Sequence, residues 1–224
     1  MKKALFITSA FFFLIIVVCG GILIGYYVDD KKEEEKYQTV TEENYLAHND
    51  DGVAFLRIDG LKIAYPVAQK DNEWYLTHNY FGEESEFGCL FLDEQNDLKN
   101  YAVKQNLVIY GHSMRTGAMF EPLKQYLYHY DDEEFLSENE VITLTIGQTQ
   151  TKWKLFSVFY ASSEENYIQT HFYDEEEYTA FLGNMYQKSM YKSTYDATKS
   201  ILTLSSCNYN SQGDRRVVQF QLLD

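Results

Sequence analysis

Three residues of this 224-residue sequence combine the right side-chain types with the right settings for acyl transfer: Cys207, His112 and Arg215. Cys207 closes the run Thr203-Leu204-Ser205-Ser206-Cys207 and is followed by a polar stretch, 208–214. A cysteine where a buried strand gives way to a polar loop can be partly exposed, as a nucleophile must be. His112 stands in the same relation to Leu107-Val108-Ile109-Tyr110-Gly111, and Arg215 opens the last apolar segment. Residues at strand ends are held by a scaffold around a cleft. The cysteine attacks as thiolate, so a neighbouring base or cation must take or weaken its proton. Histidine can do so and later serve as general acid to a leaving amine. Arginine supplies a permanent charge and several donors for the oxyanion, so no acidic third member is required. Types and positions alone leave a bland alternative open, in which Cys207 is a small buried hydrophobe and His112 is structural. The cysteines and histidines include no close-spaced pair of the zinc-ligand kind, so no metal is expected.

The elements that must position these residues are mostly strands. Alternating or short apolar runs predict strands over 53–58, 89–92, 106–110, 141–146, 152–160, 201–205 and 217–223. Helical spacing of Met119, Leu123 and Tyr126 predicts a helix over 118–126, and Tyr178, Phe181, Leu182 and Met185 predict one over 175–191. Seven or so short strands with interposed helices imply a closed or nearly closed β-barrel.

Charge divides the chain. Lys2 and Lys3 precede an uncharged run, 4–28, and all 34 acids follow it, leaving the remainder near −17. The run exceeds the ~20 apolar residues needed to cross a bilayer. Its flanking lysines put the N-terminus in the cytoplasm and the rest outside. A cleaved signal peptide fits less well, because the run is long and no A-x-A site follows. A lipoprotein signal at Cys19 fits poorly too, since apolar sequence continues beyond it. Residues 29–51 are charged and polar and read as a helical stalk, and 52–224 as the catalytic domain. The acidic balance excludes a counterion-displacing nucleic-acid binder. Three cysteines, Cys19, Cys89 and Cys207, exclude a disulfide scaffold. Cys89 sits among Phe87, Leu90, Phe91 and Leu92 and reads as core. His78 and His171 read as surface or loop histidines.

Tyr65-Pro66-Val67, Asp71-Asn72, Tyr75-Leu76, Gly88-Cys89-Leu90-Phe91-Leu92-Asp93, Ile109-Tyr110-Gly111-His112, Gly117-Ala118-Met119-Phe120, Thr203-Leu204-Ser205-Ser206-Cys207 and Arg215-Arg216-Val217-Val218 occur in the order found in class B sortases. From about residue 53 to 222 the sequence resembles that family. The resemblance implies an eight-stranded sortase-type barrel behind an N-terminal transmembrane helix. The implied enzyme is a membrane-anchored cysteine transpeptidase facing the cell wall of a Gram-positive cell, with no cofactor. It cleaves a C-terminal sorting signal of NPQTN, NPxTG or PPxTG type after threonine. It then passes the thioacyl-linked protein to a peptidoglycan amine. His112, Cys207 and Arg215 carry over as catalytic, and Asn72, Leu76, Ser163, Tyr167 and Ser205 as substrate contacts.

Two features depart from the family pattern. Ser206 stands where threonine is usual before the nucleophile, keeping the hydroxyl and losing the β-branch. Arg215 and Arg216 are adjacent, and neighbouring strand residues face opposite sides, so only one can reach the cleft. The family's final-strand pattern selects Arg215. An L,D-transpeptidase would show an S-x-G-C segment, and a papain-like hydrolase would place cysteine before histidine. A catalytically silent, anchored peptide-binding module is the alternative from outside the enzymes.

Overall fold

The computed structural model describes residues 2–114, 116–162, 165–207 and 214–223, with side chains from residue 12 onward apart from those of 207 and 214. The chain divides into two units, Met1–Thr39 and Val40–Asp224. The first is one helix, α1 (Lys2–Tyr37). No proline interrupts it, and Phe, Leu, Ile and Val recur around its whole circumference with Phe12 to Val28 largely exposed. Within Phe12–Tyr37 an 18-residue window reaches a mean hydropathy of 2.2, so the helix is long and apolar enough to cross a membrane. Past the apolar part, Asp29–Lys32 and Glu33–Lys36 pairs at (i, i+3) spacing continue the helix.

The second unit is built on eight strands: β1 (Gly52–Ile58), β2 (Ile63–Ala68), β3 (Leu90–Leu92), β4 (Asn106–Gly111), β5 (Val141–Ile146), β6 (Thr149–Ser162), β7 (Ile201–Cys207) and β8 (Asp214–Leu222). They close in the order β1-β2-β3-β4-β7-β8-β6-β5, so each of these strands has a neighbour on both sides. The β2–β3 and β4–β7 pairs are parallel and the others antiparallel. An eight-stranded barrel has just enough interior for side chains. Leu107, Ile109, Leu202, Leu204, Val218 and Phe220 have no exposed surface.

Alternate residues of β6, β7 and β8 form a second core. Phe159, Ala161, Ile201 and Val217 pack with Tyr178, Phe181, Leu182 and Met185. Those last four residues come from α4 (Glu175–Lys188), which Asp174 caps by accepting from the Glu177 N–H at 2.8 Å. Three glutamates in its first turn and Lys188 in its last complement the helix dipole. The helix ends before 191 because Ser189 turns extended and Met190 donates to the Val158 carbonyl instead.

Two elements differ from the sequence expectation. The helix expected over 118–126 starts later, as a 3₁₀ turn (Glu121–Leu123) leading into α2 (Lys124–Tyr128). Met119 has φ +55° and Pro122 lacks an N–H, so the helix cannot begin earlier. The apolar spacing nevertheless reports burial, since Met119, Leu123 and Tyr126 are all inaccessible. β2, which contains Pro66, was not among the strands expected from the sequence. Only Val67 and Ala68 pair with β3, so on that side Pro66 occupies an unpaired edge position, where a missing donor costs nothing. A short helix, α3 (Glu133–Asn139), is also additional. Asp132 caps it by accepting from the Glu134 and Phe135 N–H groups.

Residues 40–51 are not a free stalk. Val40 and Tyr45 are buried, the Tyr45 hydroxyl accepts from the Gly147 N–H at 2.7 Å, and Tyr80 donates to the Tyr45 carbonyl at 2.8 Å.

Candidate active site

The pairing of β4, β7 and β8 assembles the candidate site. In the parallel β4–β7 ladder Tyr110 lies opposite Ser205 and Gly111 opposite Ser206, so His112 follows one step past the end of β4. In the antiparallel β7–β8 ladder Cys207 lies opposite Arg215. Side chains alternate along each strand, and Tyr110, Ser205 and Arg215 share one parity across these ladders. His112, Arg215, Tyr110 and Ser205 line one cleft, together with Asn72, Leu76, Phe91, Tyr167 and Ile168.

His112 is half-buried, and its ring is fixed from two sides. Nε2 lies 2.8 Å from the Leu76 carbonyl oxygen. A carbonyl only accepts, so Nε2 carries the proton and Nδ1 is the ring nitrogen left for proton exchange when the imidazole is neutral. The ring edge lies over Gly88, whose φ is +63° and where a Cβ would come within 2.4 Å of His112 Cδ2. Leu76 ends a 3₁₀ turn (Trp74–Leu76), held by the Asp71 carboxylate accepting from the Trp74 and Glu73 N–H groups at 2.6 and 2.9 Å. Those backbone hydrogen bonds, from Trp74 and then Glu73, hold the Asp71 carboxyl below the usual carboxylate range.

The two arginines separate as strand alternation requires. Arg215 lines the cleft and is partly exposed. Arg216 is 4% exposed on the other face, where its Nη1 bonds Glu121 Oε2 at 2.7 Å.

Four of the five expected substrate contacts line the cleft: Asn72, Leu76, Tyr167 and Ser205. Ser163 lies outside the described residues. Asn72 is oriented by donating to Asp93 Oδ2 at 3.1 Å and accepting from the Glu94 N–H at 3.0 Å. The same Asp93 oxygen accepts from the Tyr110 hydroxyl at 2.8 Å. Burial, with the Asp93 charge beside it, pushes the Tyr110 phenol well above its ordinary range, so it stays a neutral donor. Tyr167 and Ser205 share a buried hydrogen bond of 2.9 Å.

Sequence reasoning assigned no role to Tyr110, Asp93, Phe91, Ile168 or Gly88. Tyr110 was accessible to the strand period, two residues before His112; Asp93 and Gly88 act through long-range contacts that no local pattern encodes. Cys89 is a buried thiol donating to the Leu90 carbonyl at 3.1 Å, as expected of a core residue. His78 stacks on Trp74 with ring centroids 3.8 Å apart, and His171 is exposed.

Residues 56–222 match the family model for the sortase domain. Sortase B of Listeria monocytogenes is 33% identical over 180 residues, covering 78% of this chain and 71% of its own length. The structure of Clostridium perfringens sortase B aligns with a TM-score of 0.72 at 32% identity, covering 82% of this chain and 100% of that one. A Staphylococcus aureus sortase B–substrate complex aligns with a TM-score of 0.72 at 27% identity, covering 87% of this chain and 93% of that one. The barrel, its order of motifs and these matches place the chain in one family: it is a sortase, a sortase B homologue of the cysteine transpeptidase type.

Proposed function

We propose that this sortase cuts a C-terminal sorting signal of NPQTN, NPxTG or PPxTG type after its threonine and joins the new carboxyl end to a peptidoglycan amine. The observation that carries this reading is one cleft lined by His112, just past the end of β4, and by Arg215, which lies opposite Cys207 in the β7–β8 ladder. Cys207 Sγ, as thiolate, attacks the threonine carbonyl carbon, and the carbonyl oxygen becomes an oxyanion facing the Arg215 guanidinium. The C–N bond breaks as His112 gives its proton to the departing amine, leaving a thioester on Cys207. A wall amine then loses a proton to His112, attacks the thioester carbonyl and expels Cys207 as thiolate, restoring the starting protonation of the pair. Asn72, Leu76, Ser163, Tyr167 and Ser205 hold the extended signal. Asn72 is pre-oriented by Asp93, which lowers the entropy lost on binding.

Residues 1–28 serve as a cytoplasmic stub and signal-anchor, 29–39 as the connection, and 40–224 as the extracellular unit that holds the catalytic domain. The length and hydropathy of α1 and the lysines before it support this orientation. The test incubates the full chain in detergent micelles with quenched peptides bearing each of the three signal cores, with and without an added amine. Cleavage of one core, its transfer to the amine and loss of both in Cys207→Ala are expected. No cleavage of any core, or undiminished cleavage by Cys207→Ala, contradicts the reading.

A further inference from the structure

On the face of β8 opposite the cleft lies a charge pair that the transfer chemistry does not use. Arg216 Nη1 donates to Glu121 Oε2 at 2.7 Å and to Ser113 Oγ at 3.3 Å, with side-chain exposures of 5% and 15% for the ion pair. Lys124 donates to the other Glu121 oxygen at 2.7 Å. Such a pair is a poor source of stability, because desolvating two charges offsets most of their attraction. Its placement points elsewhere.

The two partners of Arg216 stand on the two legs of one loop. Ser113 directly follows His112. Glu121 directly follows Phe120, whose N–H donates to the His112 carbonyl at 2.8 Å. Ser113 and Met119 form a bridge between the same legs. At its other end, Arg216 adjoins Arg215 in sequence and lies opposite Ser206, the residue before Cys207. One guanidinium thus ties the Ser206–Arg216 rung to both legs of the loop that begins at His112.

We propose that the Arg216–Glu121 pair is a positioning clamp that sets His112 relative to the rung carrying Cys207 and Arg215. The clamp rests on the catalytic roles proposed above for those three residues. Neither Arg216 nor Glu121 touches substrate. They act by fixing where the His112 loop docks on β8, and displacement of a catalytic group by 1 Å can cost about 10²-fold in rate.

The test uses the full chain in detergent micelles and four variants: Arg216→Met, Arg216→Lys, Glu121→Gln and the double Glu121→Leu/Arg216→Met. Turnover of a quenched sorting peptide and the ¹³C-labelled His112 ring resonances are read for each. Arg216→Met and Glu121→Gln lower kcat about tenfold with KM unchanged, a partial form of that misplacement cost. Arg216→Lys, which keeps one cationic donor, recovers most of the turnover. The double variant replaces the pair by apolar groups, so it melts near the wild type and yet stays slow, with displaced or broadened His112 signals. If the single variants fail to fold, the double variant and Arg216→Lys decide. A folded double variant with wild-type turnover overturns the clamp. Should the wild type cleave no peptide, the sorting reading fails separately, and the His112 spectrum decides the clamp: displaced in the double variant upholds it, unchanged overturns it.

Discussion

Gly88 and His112 are in contact across the cleft wall, so closely that a Cβ on Gly88 would lie 2.4 Å from His112 Cδ2 and 2.9 Å from Nε2. The glycine also has φ +63°, a conformation that side chains disfavour. The absence of a side chain at 88 therefore helps set the position of the imidazole whose Nε2 the Leu76 carbonyl binds. Gly88→Ala displaces that ring and breaks the hydrogen bond. Turnover is expected to fall about 10²-fold, with a smaller proportional loss in Tm. Unchanged kcat in a folded Gly88→Ala variant would remove the glycine from the site.

The two arginines occupy opposite faces of β8. Arg215 lines the cleft, and removing a donor aimed at an oxyanion costs about 10²–10³ in kcat. Arg216 is buried on the opposite face and acts at a distance. Arg215→Ala is thus expected to lose more turnover than Arg216→Met. The reverse ranking, measured on variants of equal Tm, would exchange the assignments.

Acid should weaken the attachment of the His112 loop. Burial alone would raise the Glu121 carboxyl, but the hydrogen bonds and charges of Lys124 and Arg216 outweigh it and hold the group below the usual glutamate range. A carboxylate with a lowered folded-state pKa contributes stability that is fully present above its unfolded value, about 4.3. That contribution is lost as pH falls through the lower folded value. Thermal melts from pH 6 down to pH 3 are expected to fall more steeply for the wild type than for Glu121→Gln. Parallel curves would show that Glu121 carries no such linkage.

The Tyr167–Ser205 hydrogen bond joins the segment after β6 to β7 within the cleft wall. Tyr167→Phe strands a buried hydroxyl and should cost about 1 kcal/mol, a Tm decrease of about 2–4 °C for a domain of this size. Adding Ser205→Ala removes both partners, so the double variant should lose less than the two single losses combined. Additive losses in that cycle would mean the bond contributes nothing.

The reach of the sequence depends on how local each cause is. Strands such as β5 and β7, and the face of α4 bearing Tyr178, Phe181, Leu182 and Met185, follow from apolar period alone. β2 was not among the expected strands, and its Pro66 is accommodated beside β3 because only Val67 and Ala68 pair there, a tertiary fact. The expected helix over 118–126 failed at Met119, whose left-handed backbone bridges back to Ser113. His112 and Arg215 were legible from their places at strand ends. The Asp93 carboxylate that orients Asn72, and Gly88 under the imidazole, became visible only once residues distant in sequence were brought together.

The most direct measurement is the intact mass of the full chain trapped during turnover of a sorting peptide. A wild-type adduct equal to the peptide fragment ending in threonine, mapped to Cys207, released by hydroxylamine and absent in Cys207→Ala, is the expected result. Cleavage without any adduct, or an adduct that persists in Cys207→Ala, would contradict thioacyl transfer through this cysteine.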